Sequence, residues 1–384
     1  MDSCDILIVG GGPAGSSCAW ALRDSGLDVL IVDRATFPRD KLCGGWITPQ
    51  VVSALRLDLK DYVRNRTLQD ITGFRTGVLG EDDVVLDCRK TVSYGIRRCE
   101  FDDYLLRRSG ARIRENFAIQ SIVRDRDGWI INDEIHTNML VGAGGHFCPI
   151  ARHLGNNDEA QPVVAREVEF EMTPTELESC AVDGELPELY FCRDLVGYGW
   201  LFRKGNFLCI GLGRLDPHVL SEHLERFVES MQQAGKFRLE YPRKYSGHAY
   251  HLFGHSKRKL VDDRVMLIGD SAGLAYPQSG EGIRPAVESG LMAAEIIQSA
   301  QGDYCRPKLD RYACMLHDRF DRGGGRVEQL AQRIPASLRN FVGRQLLKTE
   351  TFCRIVVQDW FLHAKDAPLR VPRTSGIFAR PPAA

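Results

Sequence analysis

The strongest constraint on this chain is a glycine pattern near its N-terminus, placed between an apolar segment and an alanine-rich one. Residues 5–9 form a short β-branched run, a G-x-G-x-x-G pattern begins at Gly10, residues 16–22 have helical composition, and residues 28–32 form a second apolar run. This order of strand, glycine turn, helix and strand predicts a Rossmann-type βαβ unit at the start of the chain.

Each glycine in the pattern has a physical reason. Gly10 permits a tight turn, Gly12 leaves space for a pyrophosphate, and Gly15 lets the helix pack closely on the strand. The helix N-terminus offers N–H groups and a positive dipole end to phosphates. Asp33 lies 18 residues after Gly15, where a carboxylate can accept ribose hydroxyls. The motif therefore predicts a dinucleotide site formed by Gly10, Gly12, Pro13, Ala14, Gly15, Asp33 and Arg34.

The identity of the dinucleotide stays open at this point. Arg34 follows Asp33 directly, and an arginine beside the acid suits a 2′-phosphate. The first unit alone is therefore compatible with FAD, NAD and NADP.

Composition excludes several classes of protein. The 384 residues include 50 Lys and Arg against 51 Asp and Glu, a balance that argues against nucleic-acid binding. No apolar run reaches the ~18 residues that span a bilayer, and Asp2 and Asp5 stand where a signal peptide would be basic. The 12 cysteines form no C-x-x-C pair, so we expect no metal site and reduced thiols in a cytoplasmic protein.

A second segment about 250 residues downstream points to a long cofactor. Residues 264–270 form another buried strand that ends in Gly269 and Asp270, and small residues lead from there into a helix. An acid at the carboxyl end of such a strand can bind a second hydroxylated part of one cofactor. A nicotinamide cofactor does not need this second segment, whereas the ribityl chain and isoalloxazine of FAD do.

Four further motifs make the chain recognisable. The stretch Gly269-Asp270 continues to Gly280-Glu-Gly282-Ile283; Arg98 opens an R-x-x-F-D-x-x-L segment; Lys41-Leu-Cys43-Gly44-Gly45 is a C-G-G loop; and Tyr198-Gly-Trp200-Leu-Phe202-Arg-Lys204 is close to Y-x-W-x-F-P-K. With the first glycine motif, these segments resemble the FAD-dependent oxidoreductases of the p-hydroxybenzoate hydroxylase fold. Within them, the chain is most similar to the geranylgeranyl reductase family.

The resemblance implies an α/β fold in which a Rossmann-type FAD-binding domain is interleaved with an antiparallel-sheet substrate domain and followed by a C-terminal helical segment. We assign residues 1–70, 91–160 and 255–300 to the FAD-binding domain. Residues 71–90 and 161–254 form the substrate domain, and residues 301–384 a helical cap and tail. Strands are expected at 163–172, 188–192, 199–202 and 207–213. Helices are expected at 220–234, 307–320, 327–333 and 337–361, with Pro368, Pro372, Pro381 and Pro382 marking an extended tail.

The resemblance also implies which residues contact the cofactor, with the Asp270 carboxylate on the ribityl chain and Arg98 near the flavin. The expected cofactor-binding residues are those of the first motif together with Lys41, Cys43, Gly44, Arg98, Gly269, Asp270, Gly280, Gly282 and Ile283. The expected catalytic residues are Cys43, Gly44, Gly45, Tyr198 and Trp200.

Two departures from the family pattern bear on the electron donor. Arg203 replaces a proline, and in a segment that usually reads G-A-D-G-x-x-S, Gly144 replaces the acid and Pro149 the serine. In the aromatic hydroxylases that acid is associated with contacts to FAD and NADPH. Its loss argues against direct reduction by NAD(P)H and weakens a hydroxylase interpretation, and the donor stays open between NAD(P)H and a ferredoxin.

The leading hypothesis is an FAD-dependent reductase that saturates carbon–carbon double bonds of an isoprenoid, geranylgeranyl-type chain. A hydride would come from reduced flavin N5 and a proton from a positioned donor. Cys43 is a candidate acid, or a small spacer in a loop whose glycines let the backbone approach the isoalloxazine. The alternative is an FAD-dependent monooxygenase that hydroxylates an aromatic or polyketide-like molecule.

Several side chains have two interpretations. Tyr198, Trp200 and Phe202 share one face of a strand, either as a platform beside a prenyl chain or as ordinary core. Arg284 is a candidate cation near flavin N1, while the three histidines His248, His251 and His255 are interpreted as surface or interface residues. The apolar positions between 341 and 361 fit either a packed cap or a membrane-facing surface. We expect a monomer that acts on a small molecule or prenyl lipid, without nucleic acid and with peripheral membrane contact.

Overall fold

The N-terminal unit has the predicted form in a computed structural model, which describes residues 1–156, 161–216, 218–238, 241–242, 245–255, 257–321 and 336–366. Strands β1 (Asp2–Val9) and β2 (Val29–Val32) are parallel neighbours, and helix α1 (Pro13–Leu22) connects them. All four residues of β2 and the last four of β1 are buried, as expected for a parallel strand covered on both faces.

The rest of the first sheet extends this pair. In the described residues, its order is β17-β18-β11-β1-β2-β8, and β10 joins β11 to β9. The added strands are β8 (Arg112–Arg114), β9 (Ile122–Arg124), β10 (Trp129–Ile131), β11 (Ile135–Gly142), β17 (Val261–Asp262) and β18 (Val265–Leu267). The predicted strand at residues 264–270 is thus shorter than expected, because the backbone turns into a 3-10 helix at Gly269–Ala272.

The second sheet is mostly antiparallel. Its order is β16-β12-β15-β14-β13-β5-β6, and only the β13–β5 pair among these is parallel. The strands are β5 (Gly73–Val78), β6 (Asp83–Asp87), β12 (Val163–Glu171), β13 (Glu188–Phe191), β14 (Gly197–Lys204), β15 (Phe207–Arg214) and β16 (Ser246–Tyr250). A small sheet between the two layers has the order β3-β7-β4, from β3 (Trp46–Ile47), β4 (Leu68–Ile71) and β7 (Ser93–Ile96).

Helices cover both sheets. They are α2 (Pro49–Ala54), α3 (Leu59–Tyr62), α4 (Arg98–Arg107), α5 (Pro149–His153), α6 (Pro174–Ser179), α7 (Leu220–Gln233), α8 (Ile283–Ala300), α9 (Arg306–Phe320), α10 (Ala336–Leu346) and α11 (Glu350–Ile355), which continues into a π-helical turn at Val356–Phe361. The predicted helix at 327–333 and the proline-rich tail lie outside the described residues. None of the helices that the structure describes is both long and apolar enough to cross a membrane.

The packing of α8 on α1 positions the glycine turn. Every residue of α1 is buried, and Gly290 of α8 lies against its first turn. A Cβ atom at Gly290 would be 2.4 Å from the carbonyl oxygen of Ala14 and 3.1 Å from the amide nitrogen of Cys18. Because both contacts are backbone atoms, a side chain here can be accommodated only by moving one helix.

We therefore expect Gly290→Val to lower the free energy of unfolding by about 1–3 kcal/mol, the usual cost of overpacking. The matched control is Gly247→Val, since a Cβ there would meet nothing within 4 Å and the residue lies exposed on a strand. Urea unfolding followed by circular dichroism measures both. Equal midpoints for the two variants would contradict the packing argument.

Candidate functional site

A cavity of about 420 Å³ runs from the carboxyl end of β2, past the start of α1, to the face of the second sheet. Most residues predicted from the sequence line it, although they come from segments far apart in the chain. Those that do are Gly10, Gly12, Pro13, Ala14, Asp33, Arg34, Lys41, Cys43, Gly44, Gly45, Arg98, Tyr198, Trp200, Asp270, Gly280, Gly282 and Ile283.

Two predicted residues, Gly15 and Gly269, do not line the cavity. A Cβ at Gly15 would be 2.0 Å from the Gly10 carbonyl oxygen, and one at Gly269 would be 2.9 Å from the Ala14 Cβ. Gly269 also has a positive φ of 62°, which glycine adopts without strain. These two glycines therefore permit close packing behind the site.

The start of α1 fits a pyrophosphate. Gly12 is the N-cap residue and no side chain caps the helix, so the first N–H groups face the cavity without a protein partner on that turn. A Cβ at Gly12 would meet only the Arg39 guanidinium, at 3.4 Å. A helix N-terminus with an adjacent arginine is a favourable position for phosphate.

Asp33 has a structural role that the sequence did not predict. Its carboxylate accepts hydrogen bonds from the backbone N–H groups of Gly11, at 2.8 Å, and Ala35, at 2.9 Å. These bonds fix the glycine turn relative to the end of β2. Each carboxylate oxygen retains lone pairs for a ribose hydroxyl.

A charged cluster lies at the middle of the cavity, around Asp270. His248 Nε2 is 3.0 Å from the Nζ of Lys41 and 3.5 Å from a carboxylate oxygen of Asp270. Burial alone would raise the pKa of Asp270, but the His248 hydrogen bond and the positive charges of Lys41 and Arg98 outweigh it and lower that pKa to about 2. Burial lowers the pKa of Lys41 to about 8.

The three histidines were interpreted as surface or interface residues, and a surface position is wrong for two of them. His248 lines the cavity, and His251 is 3% exposed; only His255 is exposed. The sequence signal that was missed is alternation on β16, where His248 and Tyr250 point to one side. Both line the cavity.

Arg98 connects two parts of the site. Its guanidinium donates to both carboxylate oxygens of Asp102 at 2.8 Å, and Arg39 adds a contact at 3.3 Å to the same carboxylate. The nearby Cys43 side chain, together with Asp102, acts to raise the pKa of Arg98 against the effect of burial. The buried pair therefore holds a cation against the candidate reactive thiol.

Both glycines of the Cys-Gly-Gly loop (Cys43, Gly44 and Gly45) face the protein closely. A Cβ at Gly44 would be 2.6 Å from the Phe202 ring, and one at Gly45 would be 2.3 Å from the Ile96 carbonyl oxygen. Gly45 also has a φ of 74°. The glycines are needed for the loop to approach β14 and β7 this closely. The sequence alone did not reveal this reason for glycine at both positions.

The far end of the cavity is apolar and aromatic. Tyr198, Trp200 and Phe202 border it from β14, and Trp46 packs edge-on against Phe202 with ring centroids 5.1 Å apart. The fully buried Phe361, from the C-terminal π-helical turn, contacts Trp46 and Tyr198 at centroid distances of 5.9 and 5.4 Å. The strand face thus serves at once as cavity wall and as core.

Arg284 is not at the cavity, so its interpretation as a cation near the flavin was wrong. Its fully buried guanidinium donates to Glu288 at 2.8 Å and to the carbonyl oxygen of His363 at 3.4 Å. Arginine and glutamate four residues apart on a helix are positioned to pair. That spacing is the sequence signal that predicts the observed contact.

Comparison with known proteins agrees with this architecture. Residues 8–60 match the NAD(P)-binding Rossmann-like domain family. A menaquinone reductase from Mycobacterium tuberculosis is 31% identical over 363 residues, covering 86% of this chain and 84% of the relative. A digeranylgeranylglycerophospholipid reductase from Methanocaldococcus jannaschii is 27% identical over 327 residues, covering 81% of each.

Two solved structures share the fold. A geranylgeranyl bacteriochlorophyll reductase-like protein from Thermoplasma acidophilum superposes with a TM-score of 0.70 at 21% identity, covering 93% of this chain and 91% of that one. A halogenase in complex with FAD superposes with a TM-score of 0.65 at 16% identity, covering 83% and 74%.

The relatives named as reductases and the shared fold together place this chain among the oxidoreductases. The menaquinone reductase is 31% identical to this chain over most of both sequences, which shows that the two proteins belong to one family. The chain belongs to the geranylgeranyl reductase family.

Proposed function

We propose that this protein binds FAD along the cavity and reduces carbon–carbon double bonds of an isoprenoid chain. When bound and reduced, FAD supplies a hydride from its N5 atom. The chain would hold the adenosine end at Asp33, the pyrophosphate at the start of α1, and the ribityl chain at Asp270. Lys41, Arg98, Gly280, Gly282 and Ile283 would surround the remainder.

The observation that carries the proposal is that one cavity has two kinds of lining. Charged and glycine-rich groups, among them Asp33 and Asp270, line it together with the aromatic rings of Trp46, Tyr198, Trp200 and Phe202. An apolar chamber next to a dinucleotide site suits a hydrocarbon chain and excludes water from it. Relatives named for reduction of prenylated lipids and of menaquinone support the same substrate class.

Product mass tests the proposed reaction. The purified protein, reduced with dithionite without oxygen and given geranylgeranyl diphosphate, is expected to add about 2 Da per double bond, as two hydrogen atoms join each one. The alternative monooxygenase would add about 16 Da and only when oxygen is present. Recovery of only oxygenated product from an aromatic acid would reject the reductase proposal.

Cys43 is proposed as the proton donor to the second carbon of the double bond. Cys43 lines the cavity together with Arg98, whose charge is close enough to interact with it. The proton would leave the Cys43 Sγ, and the adjacent guanidinium would stabilise the thiolate that remains. The thiol would then regain a proton from solvent before the next cycle.

Replacing Cys43 separates this role from that of a spacer. Cys43→Ala is expected to keep bound flavin and lower kcat by about 100-fold, since general acid catalysis contributes about 10²–10⁴-fold. Cys314→Ala is the control for thiol loss, because that thiol is exposed on α9 and does not line the cavity. An unchanged kcat in Cys43→Ala would leave Cys43 without a chemical role.

Helix α10 is proposed as a contact with an anionic lipid surface. Leu338, Phe341, Val342 and Leu346 lie on one face of it and are 40–60% exposed. Residues 336–348 contain three basic residues and no acidic one, and two of the three, Arg344 and Lys348, pair with Glu81. The next turns, through Cys353 and Phe361, pack into the same core as the aromatic end of the cavity. A bilayer at this face would lie beside the apolar chamber.

Vesicle sedimentation tests this contact. Phe341→Asp is expected to bind vesicles of phosphatidylglycerol and phosphatidylcholine about tenfold more weakly than wild type, because it removes an apolar side chain worth about 1.5–3 kcal/mol when buried. Val123→Asp is the control, since Val123 is 48% exposed on β9 of the other sheet. An equal loss of vesicle binding in both variants, or binding that does not depend on the charge of the lipid, would contradict the proposal.

A further inference from the structure

The underside of the Cys-Gly-Gly loop carries a cluster of charged side chains to which the proposed reaction gives no role. Lys204, the last residue of β14, is 1% exposed, and Glu167, in the middle of β12, is 5% exposed. Neither lines the cavity. Fully buried charges of this kind are costly unless each has partners, so their contacts indicate what they are for.

Lys204 holds the loop through two backbone carbonyls. Its Nζ donates to the carbonyl oxygen of Gly44 at 3.0 Å and to that of Ile96 at 3.2 Å. The Ile96 N–H in turn donates to the carbonyl oxygen of Gly45 at 2.8 Å. A Cβ at Gly45 would be 2.8 Å from the same Nζ, so this ammonium group occupies the space that a side chain would need.

Glu167 holds the residue before these. One of its carboxylate oxygens accepts the backbone N–H of Cys43, and the other accepts the thiol of Cys209 at 3.6 Å. The Glu167 stem packs with the Trp200 ring over Gly211, where a Cβ would collide with both. Thus one acid fixes the main chain of Cys43 and also contacts Cys209 on β15, the strand that pairs with β14.

The groups facing Glu167 come from three strands and the loop. They are Glu169 from its own strand β12, Lys204 from β14, Cys209 from β15, and the N–H of Cys43 from the loop. Glu169 forms an ion pair with Lys204 at 2.5 Å and accepts a hydrogen bond from Arg97 at 3.3 Å. The cations Lys204 and Arg97 are therefore already paired with the Glu169 carboxylate. Glu167 is the member of the cluster that accepts a hydrogen bond from the Cys43 amide.

We infer that Glu167 and Lys204 are positioning residues that clamp the Cys-Gly-Gly loop from beneath, so that the protonation state of Glu167 sets how tightly the Cys43 main chain is held. The inference rests on the proposed function in one respect, because the Cys-Gly-Gly loop lines the cavity in which the proposed reaction takes place. An ionised carboxylate accepts an N–H bond about twice as strongly as a neutral group does. The Cys43 amide is therefore held more tightly when Glu167 has lost its proton.

The electrostatics give the direction and the pH range. Burial raises the pKa of Glu167 to about 7, while the positive charge of Lys204 and the Cys43 N–H act to lower it. Burial alone would lower the pKa of Lys204, but Glu169 beside it outweighs burial and raises that pKa, so Lys204 stays charged. Glu167 is thus the group in this cluster that changes charge near neutral pH.

The direct measurement is the amide resonance of Cys43 in protein labelled with ¹⁵N-cysteine, identified by its loss in Cys43→Ser. In the full-length wild type with flavin bound, the resonance is expected to move downfield between about pH 5.5 and 8.5, with a midpoint near the pKa of about 7. Glu167→Gln keeps a carbonyl acceptor but cannot ionise, so its Cys43 resonance is expected to stay fixed. A resonance that does not move in wild type, or moves equally in Glu167→Gln, overturns the inference.

Two variants of neighbouring residues serve as controls, and they are expected to shift the midpoint of the titration in opposite directions. Glu169→Gln removes a negative charge that does not touch Cys43, so the resonance should still titrate, with a lower midpoint. Lys204→Met removes the positive charge and should raise the midpoint. If Lys204→Met fails to fold, the shift in Glu169→Gln alone decides whether the cluster is coupled, and an unchanged midpoint there counts against it.

Turnover gives a second readout. Glu167→Leu leaves the Cys43 N–H without its acceptor, and a displacement of about 1 Å at a reacting group can cost about 100-fold in rate. We expect a 10- to 100-fold loss in kcat with little change in KM, and recovery of most of it in Glu167→Gln. A protein whose Cys43 amide titrates but which yields no reduced isoprenoid would reject the proposed function alone, whereas normal reduction with a fixed amide would reject the clamp alone.

Discussion

The position of the glycine turn depends on backbone contacts that leave no room for a Cβ. Gly10 lies against the Ala143 carbonyl oxygen, where a Cβ would be 2.3 Å away, and Gly15 and Gly290 hold α1 between β1 and α8 at similar separations. Because each contact is made by main-chain atoms, none can be relieved by a side-chain rotation. These three contacts therefore fix the position of the start of α1, which forms part of the cavity wall.

A second rigid unit holds the opposite wall of the cavity. Lys204 and Glu167 fix the Cys-Gly-Gly loop to the second sheet, and Phe361 places the C-terminal helices over Trp46 and Tyr198. The buried Glu288 links α8 to this cap, since it pairs with Arg284 and with Arg319 of α9, and Arg284 reaches the His363 carbonyl oxygen. Removing one partner of such a buried pair typically costs about 3–5 kcal/mol. The cap is thus tied to the helix that begins at the cavity.

Local patterns were enough to predict most of the fold. Alternating strands at residues 163–172 and 207–213 and the amphipathic helix at 220–234 agree with β12, β15 and α7 to within a residue or two. The glycine motifs were equally legible, because a turn that needs glycine has few other solutions. What the sequence could not supply was contacts between segments far apart. Cys43 and Glu167 are 124 residues apart and Lys41 and His248 are 207 apart, and neither pair forms a local pattern.

The misinterpreted residues were those whose local pattern permits two orientations. Arg284 starts a helix beside the cavity, yet its side chain turns away because Glu288 lies one turn further along the same helix. Gly44 and Gly45 line the cavity, and on the other side of the loop they leave room for Phe202 and Lys204. In both cases the deciding neighbour is charged or aromatic and lies on the protein side of the backbone. The glycines of this loop therefore face the cavity on one side and allow close contact with the second sheet on the other. The same contacts determine the shape of the cavity wall and stabilise the fold.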